Sequence, residues 1–359
     1  MRVALHAGQL LQRTPGGIAR YERALLHALP DEGVEVVAFA AGHRASGIEP
    51  RVPWVDLGFP RGGLRYELWH RLRRPLVGLD ADVVHAPSLA IPPTGGVPLV
   101  VTIHDVAFLR IPELTTPRGR RFHERGLELA RRDATLIIAV STFTRDELLR
   151  EGFDDYRVVA IPLGVDPPES RDADDIDATV AATGVDAPYV LTVGTVEPRK
   201  DLPTAVRAVE RLRARRPDIT LVIAGAAGWG DVEGLDAPFV RRLGAQPWRT
   251  LDALYRRAVA CCLPSRYEGF GLPALEALAR GTPLVTTTGS ALEEVVGDAA
   301  MLFTPGDVDG CAEALARIIE DGELQAQLAR AGLIRARDFT WNANAAAHAQ
   351  AYAHARAHS

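Results

Sequence analysis

Residues 189–202 read YVLTVGTVEPRKDL. The run Tyr189–Val193 has no polar alternation, the pattern of a strand covered on both faces, as in a parallel sheet. Gly194 follows it directly, and Arg199 and Lys200 then set two cations at the carboxyl end of that strand. Lys200 is the only lysine among 41 basic residues, so the other 40 are arginine. A lone ammonium kept against an arginine background suits a phosphate oxygen approached as a point charge. Chance accounts for one residue equally well, and a solvated loop with an Arg199–Glu197 pair is the plain alternative.

The same strand-and-helix alternation runs outward in both directions. Upstream strands are expected at Arg2–His6, Val34–Ala40, Val83–His85, Leu99–Ile103, Thr135–Val140 and Val158–Ile161, with helical stretches such as Ile18–Leu29 and Arg118–Arg131 between them. Downstream strands are expected at Thr220–Ala224, Val259–Leu263, Leu284–Thr287 and Met301–Phe303. The Pro- and Asp-rich stretch Pro162–Asp177 reads as a linker. The chain is therefore expected to be α/β, with two Rossmann-like doubly wound domains facing across a cleft. Its boundaries are expected at 1–167, a linker at 168–186, a second domain at 187–340, and a final helix at 341–359 crossing back to the first domain.

Composition narrows the function. At 359 residues the chain can build two cores, and a net charge of −5 argues against a nucleic-acid surface. Cys261, Cys262 and Cys311 form no disulfide framework, and MRVALHAGQL opens on a strand-like run, so a cytoplasmic protein is expected. The triplets Asp80-Ala81-Asp82 and Asp172-Ala173-Asp174 look solvated, and no metal is expected.

Three further segments carry candidate chemistry. Pro15-Gly16-Gly17-Ile18 lies between the first strand and first helix, where glycines admit a ligand close to the backbone; a tight turn is the alternative. In Ser265–Glu276, SRYEGFGLPALE, Gly269 and Gly271 bracket Phe270, and Pro273 suits the first turn of a helix. Glu268 and Glu276 flank that turn and are placed to accept bonds from sugar hydroxyls, although Glu276 is equally a helix-dipole residue. His104 ends a first-domain strand in Thr102-Ile103-His104-Asp105, as a cleft residue or a structural one. Arg61–Pro75, RGGLRYELWHRLRRP, spaces Leu64, Leu68 and Leu72 along a basic amphipathic helix. That pattern fits an anionic membrane surface or a helix packed on its own sheet.

Taken in order, PGGIARY, VTIHD, VSTFTRDEL, PLGVD, VGTVEPRKDL and EGFGLPALEALARGTPLVTT resemble retaining glycosyltransferases of the GT-B fold, family four, over nearly the whole chain. The segment Glu268–Glu276 matches that family's E-x7-E motif, and the flavour is closest to bacterial mannosyltransferases. The resemblance implies a nucleoside diphosphate sugar as co-substrate, most readily GDP-mannose, with UDP- and dTDP-sugars open. It implies a glycan or lipid-linked acceptor. By that resemblance Gly16 and Gly17 lie under the donor's phosphates and sugar, and His104 contacts the transferred sugar near its 6-hydroxyl. Gly194 belongs to the phosphate loop, Arg199 and Lys200 hold the diphosphate, and Glu268 bonds the sugar hydroxyls. The amides of Phe270, Gly271 and Leu272 face sugar and β-phosphate, Glu276 takes the ribose diol, and Leu243-Gly244 passes near the base. Two positions depart from the family: Thr195 stands where many relatives carry arginine, and Gly289–Ala300 lacks a proline before its EVV. A sugar-nucleotide epimerase and a non-catalytic sugar-nucleotide-binding partner remain as alternatives. A phosphorylase is disfavoured, because the single lysine is committed to the phosphate loop.

Overall fold

The computed structural model describes residues 1–12, 16–42, 52–58, 63–77, 79–186, 188–230 and 232–358. Pro15, Arg61 and Gly62 of the segments above lie outside the described residues. The chain divides into two compact units, Met1–Gly164 with Thr340–Ser359, and Val165–Phe339.

The first unit runs β1 (Arg2–His6), α1 (Gly17–Ala28), β2 (Glu35–Ala40), β3 (Trp54–Asp56), α2 (Gly63–Leu72), β4 (Val83–Ala86), β5 (Leu99–Ile103), α3 (Ala107–Arg110), α4 (Pro117–Asp133), β6 (Leu136–Ala139), α5 (Thr142–Arg150) and β7 (Val158–Ala160). The second runs α6 (Ala173–Ala181), β8 (Tyr189–Val193), α7 (Leu202–Arg213), β9 (Thr220–Ala224), β10 (Val240–Gly244), α8 (Trp248–Arg257), β11 (Ala260–Leu263), α9 (Leu272–Ala279), β12 (Leu284–Thr287), α10 (Ala291–Val296), β13 (Met301–Phe303), α11 (Val308–Glu320) and α12 (Gly322–Ala336). The last helix, α13 (Trp341–Ala357), returns to the first unit.

Each unit holds one parallel sheet, ordered β3-β2-β1-β4-β5-β6-β7 and β10-β9-β8-β11-β12-β13. The central strands are buried throughout, as Leu99–Ile103 and Tyr189–Val193 illustrate, which is why they read as uninterrupted apolar runs. Cys261, Cys262 and Cys311 are fully buried core residues. In an open sheet the order reverses at one point, and the loops leaving the two strands there part to opposite faces, opening a crevice. That point lies between β1 and β4 in the first unit and between β8 and β11 in the second.

Four expectations are corrected. The strands β3 and β10 were not anticipated; both are sheet edges, partly exposed apart from the buried Val240, so neither forms an apolar run. Residues 168–186 are not all linker. Asp172 caps α6 by accepting the Asp175 N–H at 2.8 Å, and Ile176 and Val180 bury the inner face of that helix. The acidic residues that resembled a solvated stretch sit in the first turn, where the helix dipole favours them. The leucine stripe of α2 is not its buried face: Arg65 and Trp69 are buried, while Leu64 and Leu72 stand exposed. Arg65 can be buried because it donates to the carbonyls of Leu57 and Gly58 at 3.0 and 2.8 Å. Of the two acidic triplets, Asp172-Ala173-Asp174 is exposed, but Asp82 is half-buried and accepts the Arg2 N–H at 2.8 Å.

Candidate active site

In the second unit the loops after β8 and β11 flank the point where strand order reverses, and their charged residues meet there. Lys200 Nζ lies 2.5 Å from Glu268 Oε1, and Arg199 Nη1 donates to Glu268 Oε2 at 2.9 Å. Ser265 adds a hydroxyl to Oε1 at 2.7 Å. Burial pushes the Glu268 carboxyl up, but Lys200 and Arg199 outweigh it and hold the group down at about 2. Arg199 is fixed further by Glu197 Oε1, 3.0 Å from its Nε, and by the Tyr267 carbonyl at 2.8 Å. Glu197 is itself buried, so the Arg199–Glu197 pair exists but is no solvated loop contact.

Backbone shape brings the lysine and glutamate together. Gly194 has φ +148°, and a side chain there would meet Lys200 Cε at 3.4 Å. A Cβ on Gly225 would lie 1.8 Å from the Gly194 carbonyl oxygen, so only glycine lets the ends of β8 and β9 approach this closely. Asp201, in the left-handed region, starts α7. On the other loop Gly271 has φ +99°, and a Cβ there would strike Leu292 at 2.5 Å. It starts α9, with Pro273 in the first turn, so Phe270, Gly271 and Leu272 form the entry to that helix. The positive end of its dipole favours a negative ligand.

Glu276 lies further along α9. It is buried within α9 and accepts from the Tyr255 hydroxyl at 2.9 Å. Leu243 and Gly244 close the edge strand β10: Gly244, at φ +69°, accepts from the Gly225 N–H at 2.9 Å, and Gln246 bonds the Leu243 carbonyl at 2.6 Å.

The first unit holds the other candidates. Gly16 precedes α1 and Gly17 begins it; Gly16 has extended backbone and open space around it, so no steric demand for glycine acts there. His104, half-buried, places Nε2 2.9 Å from the Pro87 carbonyl. A carbonyl only accepts, so Nε2 carries the proton and Nδ1 is left as the ring's acceptor. Burial lowers the His104 pKa and keeps the ring neutral. Tyr21 meets His104 edge-on at 5.3 Å and bonds Thr102 Oγ1 at 2.8 Å and His348 Nε2 at 2.6 Å. His85 bonds Thr102 and Tyr352, each at 2.8 Å. The final helix thus joins a buried polar chain that reaches the candidate histidine.

Sequence reasoning missed Ser265, Gly225 and Tyr255. Ser265 opens the same motif as Glu268 and was within reach; the other two matter only through contacts made after folding.

The description "Glycosyl transferases group 1" matches residues 175–334, and "Glycosyltransferase Family 4" matches residues 15–169. The glycogen synthase of Mycobacterium tuberculosis is 33% identical over 89% of this chain and 80% of its own. The chain belongs to the group 1, family 4 glycosyltransferases. The O-antigen chain mannosyltransferase B of Escherichia coli is 33% identical over 67% of this glycosyltransferase, which spans 66% of that relative's length. Among solved structures, sucrose-phosphate synthase from Thermosynechococcus elongatus superposes with a TM-score of 0.77 at 22% identity, covering 100% of both chains. Anabaena HepE in complex with UDP and glucose gives 0.76 at 19% identity, over 99% and 100%. These likenesses give the fold, the GT-B architecture.

Proposed function

We propose that this glycosyltransferase moves mannose from GDP-mannose to a glycan or lipid-linked acceptor, with retention and without a metal. The observation that carries the reading is Glu268 held between Lys200 and Arg199 beside the start of α9. Breaking the anomeric C–O bond builds negative charge on the leaving diphosphate, and two cations with a helix N-terminus stabilise that charge. Glu268 draws the cations together and accepts from the sugar hydroxyls. A new bond forms from the acceptor oxygen to the anomeric carbon, and the acceptor's proton passes to a phosphate oxygen on the same face. Glu276 accepts from the ribose diol, Leu243-Gly244 borders the base, and His104 offers Nδ1 to a sugar hydroxyl. Mannose is favoured by two relatives named as mannosyltransferases, the Escherichia coli protein and the MMP alpha-(1->4)-mannosyltransferase of Mycolicibacterium hassiacum. A UDP-sugar is the second reading, favoured by the UDP and glucose bound to HepE.

A thermal-shift panel of GDP, UDP, dTDP and ADP, each with and without magnesium, tests this. A ligand that binds only the folded chain raises Tm with its saturation. The reading expects a metal-independent rise with GDP. A rise with UDP alone discards mannose from GDP-mannose, and no rise with any nucleotide discards the donor site.

A further inference from the structure

Five fully buried side chains, Tyr21 on α1, His85 on β4, Thr102 on β5, and His348 and Tyr352 on α13, form one unbroken hydrogen-bonded chain. Its direction is set from one end. His348 Nδ1 lies 2.7 Å from the Asn344 carbonyl. A carbonyl only accepts, so Nδ1 carries the proton and Nε2 the lone pair. The Tyr21 hydroxyl therefore donates to His348 Nε2 across 2.6 Å. Its oxygen is left to accept from the Thr102 hydroxyl at 2.8 Å. Thr102 Oγ1 in turn accepts from His85 Nε2, and His85 Nδ1 accepts from the Tyr352 hydroxyl, each at 2.8 Å. Every contact receives one proton and none is left over, provided both rings are neutral. Burial keeps them so: it lowers His348 to about 4 and His85 well below its ordinary value. No reversed arrangement satisfies all of these buried groups.

The chain runs beside a residue of the candidate site. Thr102 lies two residues before His104. The Tyr21 ring, held by its two hydrogen bonds, meets the His104 ring edge-on at 5.3 Å and 83°. The Pro87 carbonyl ties down His104 Nε2, but a single bond lets a ring tilt about it; the packed tyrosine limits that tilt. His348 itself has no hydrogen bond or ring contact with His104 among the described residues; its ring neighbours are Tyr21, His85 and Tyr352.

We propose that Tyr21, and through it His348, are positioning residues for His104. The last helix fixes the Tyr21 ring, and that ring holds the imidazole with Nδ1 presented to a donor-sugar hydroxyl. Without the His348 lone pair the Tyr21 proton has no acceptor, the buried hydroxyl turns to find one, and the His104 ring loses its stop. The inference rests on the reading of His104 as a sugar contact. It adds that α13, which bears none of the candidate site residues, sets the quality of that contact.

Titration calorimetry with GDP and GDP-mannose tests it, or with UDP and UDP-glucose should the thermal-shift panel select uridine. The ratio of the two Kd values isolates the sugar's share of binding. His104→Ala should move that ratio against the sugar about tenfold, the scale of one hydrogen bond. Tyr21→Phe and His348→Leu should move it the same way by about threefold or more, with the Kd of the nucleotide alone unchanged. A merely structural role would lower Tm and leave the ratio alone. Circular dichroism identifies the variants that fold, and Tyr21→Phe keeps the core filled. Nitrogen NMR of the histidine rings needs no variant, because protonated and bare ring nitrogens resonate far apart. It should show Nδ1–H at His348 and Nε2–H at His85 and His104. A wild-type ratio in folded His348→Leu or Tyr21→Phe, an equal loss of affinity for nucleotide and sugar nucleotide, or the opposite tautomer at His348 or His85 overturns the inference. A wild-type ratio in His104→Ala overturns the sugar-contact reading with it, so the two failures are told apart.

Discussion

Lys200 and Arg199 both grip Glu268, yet they are not equivalent. Arg199 is also tied to Glu197 and the Tyr267 carbonyl, whereas the ammonium of Lys200 ends on a flexible stem and can shift to a phosphate oxygen. Lys200→Ala should therefore lower turnover by about 10²- to 10³-fold, the scale of losing one charge-stabilising donor. Arg199 and Ser265 still satisfy Glu268 in that variant, so its circular dichroism spectrum should be unchanged. Near-normal turnover would remove Lys200 from the machinery. Glu276→Ala should act on affinity instead: nucleotide Kd is expected to rise about tenfold or more, as for a lost charged hydrogen bond. An unaltered Kd by titration calorimetry would sink the ribose assignment. Much of this site was legible because its charged residues cluster within two short loops, each following a buried strand. Tyr255 and Gly225 were not, since a tyrosine twenty-one residues before Glu276 and a glycine after β9 acquire meaning only from a 2.9 Å bond and from a chain approach to Gly194 that leaves no room for a Cβ.

Among the elements, α13 and the strands β1 and β4 share a core of buried imidazoles. Burial holds His6 down at about 3 and His348 at about 4, and pushes His85 well below its ordinary value; His70, on α2, sits at about 4. An unfolded histidine takes up its proton near pH 6.5, and these do so only far lower in the folded chain. Below pH 6.5 the unfolded chain therefore binds more protons, so stability is complete above that pH and falls steadily toward pH 4. The loss is about 1.4 kcal/mol per pH unit for each such histidine. Glu22, buried and raised well above its ordinary value, works in the other direction but is one group against four. Tm should thus drop between about pH 7 and pH 5; a level profile in calorimetry would show that these rings accept protons without unfolding. The same elements show where reading by pattern reaches its limit. Central strands announce themselves because both faces are covered. The edge strands β3 and β10 carry Asp56 or Arg241 and Arg242 on open faces and blend into loops. The helix α2 misleads for a related reason: backbone carbonyls pay for burying Arg65, which turns its leucines outward.

For the whole molecule, the division into units does not follow the order of the chain. Residues Met1–Gly164 supply all seven strands of the first sheet, but α13 arrives only after Val165–Phe339. Until then His85 lacks the hydroxyl of Tyr352, and Tyr21 lacks His348. Two buried polar partners left unmade cost about 1–3 kcal/mol each, a large share of a domain's net stability. On the ribosome the first unit to be translated is consequently the second to be finished, while Val165–Phe339 is complete in itself as it emerges. A translation-arrest force sensor should register the second unit's folding before α13 leaves the exit tunnel, and that of the first only afterwards. Release of the first unit's signal with α13 still inside the tunnel would show that the seven-stranded sheet closes without its last helix. If the order holds, a ribosome stalled anywhere upstream of Trp341 displays an unfinished amino-terminal half to the cell's chaperones and proteases, and a premature stop codon late in the message is as damaging to the beginning of the protein as to its end.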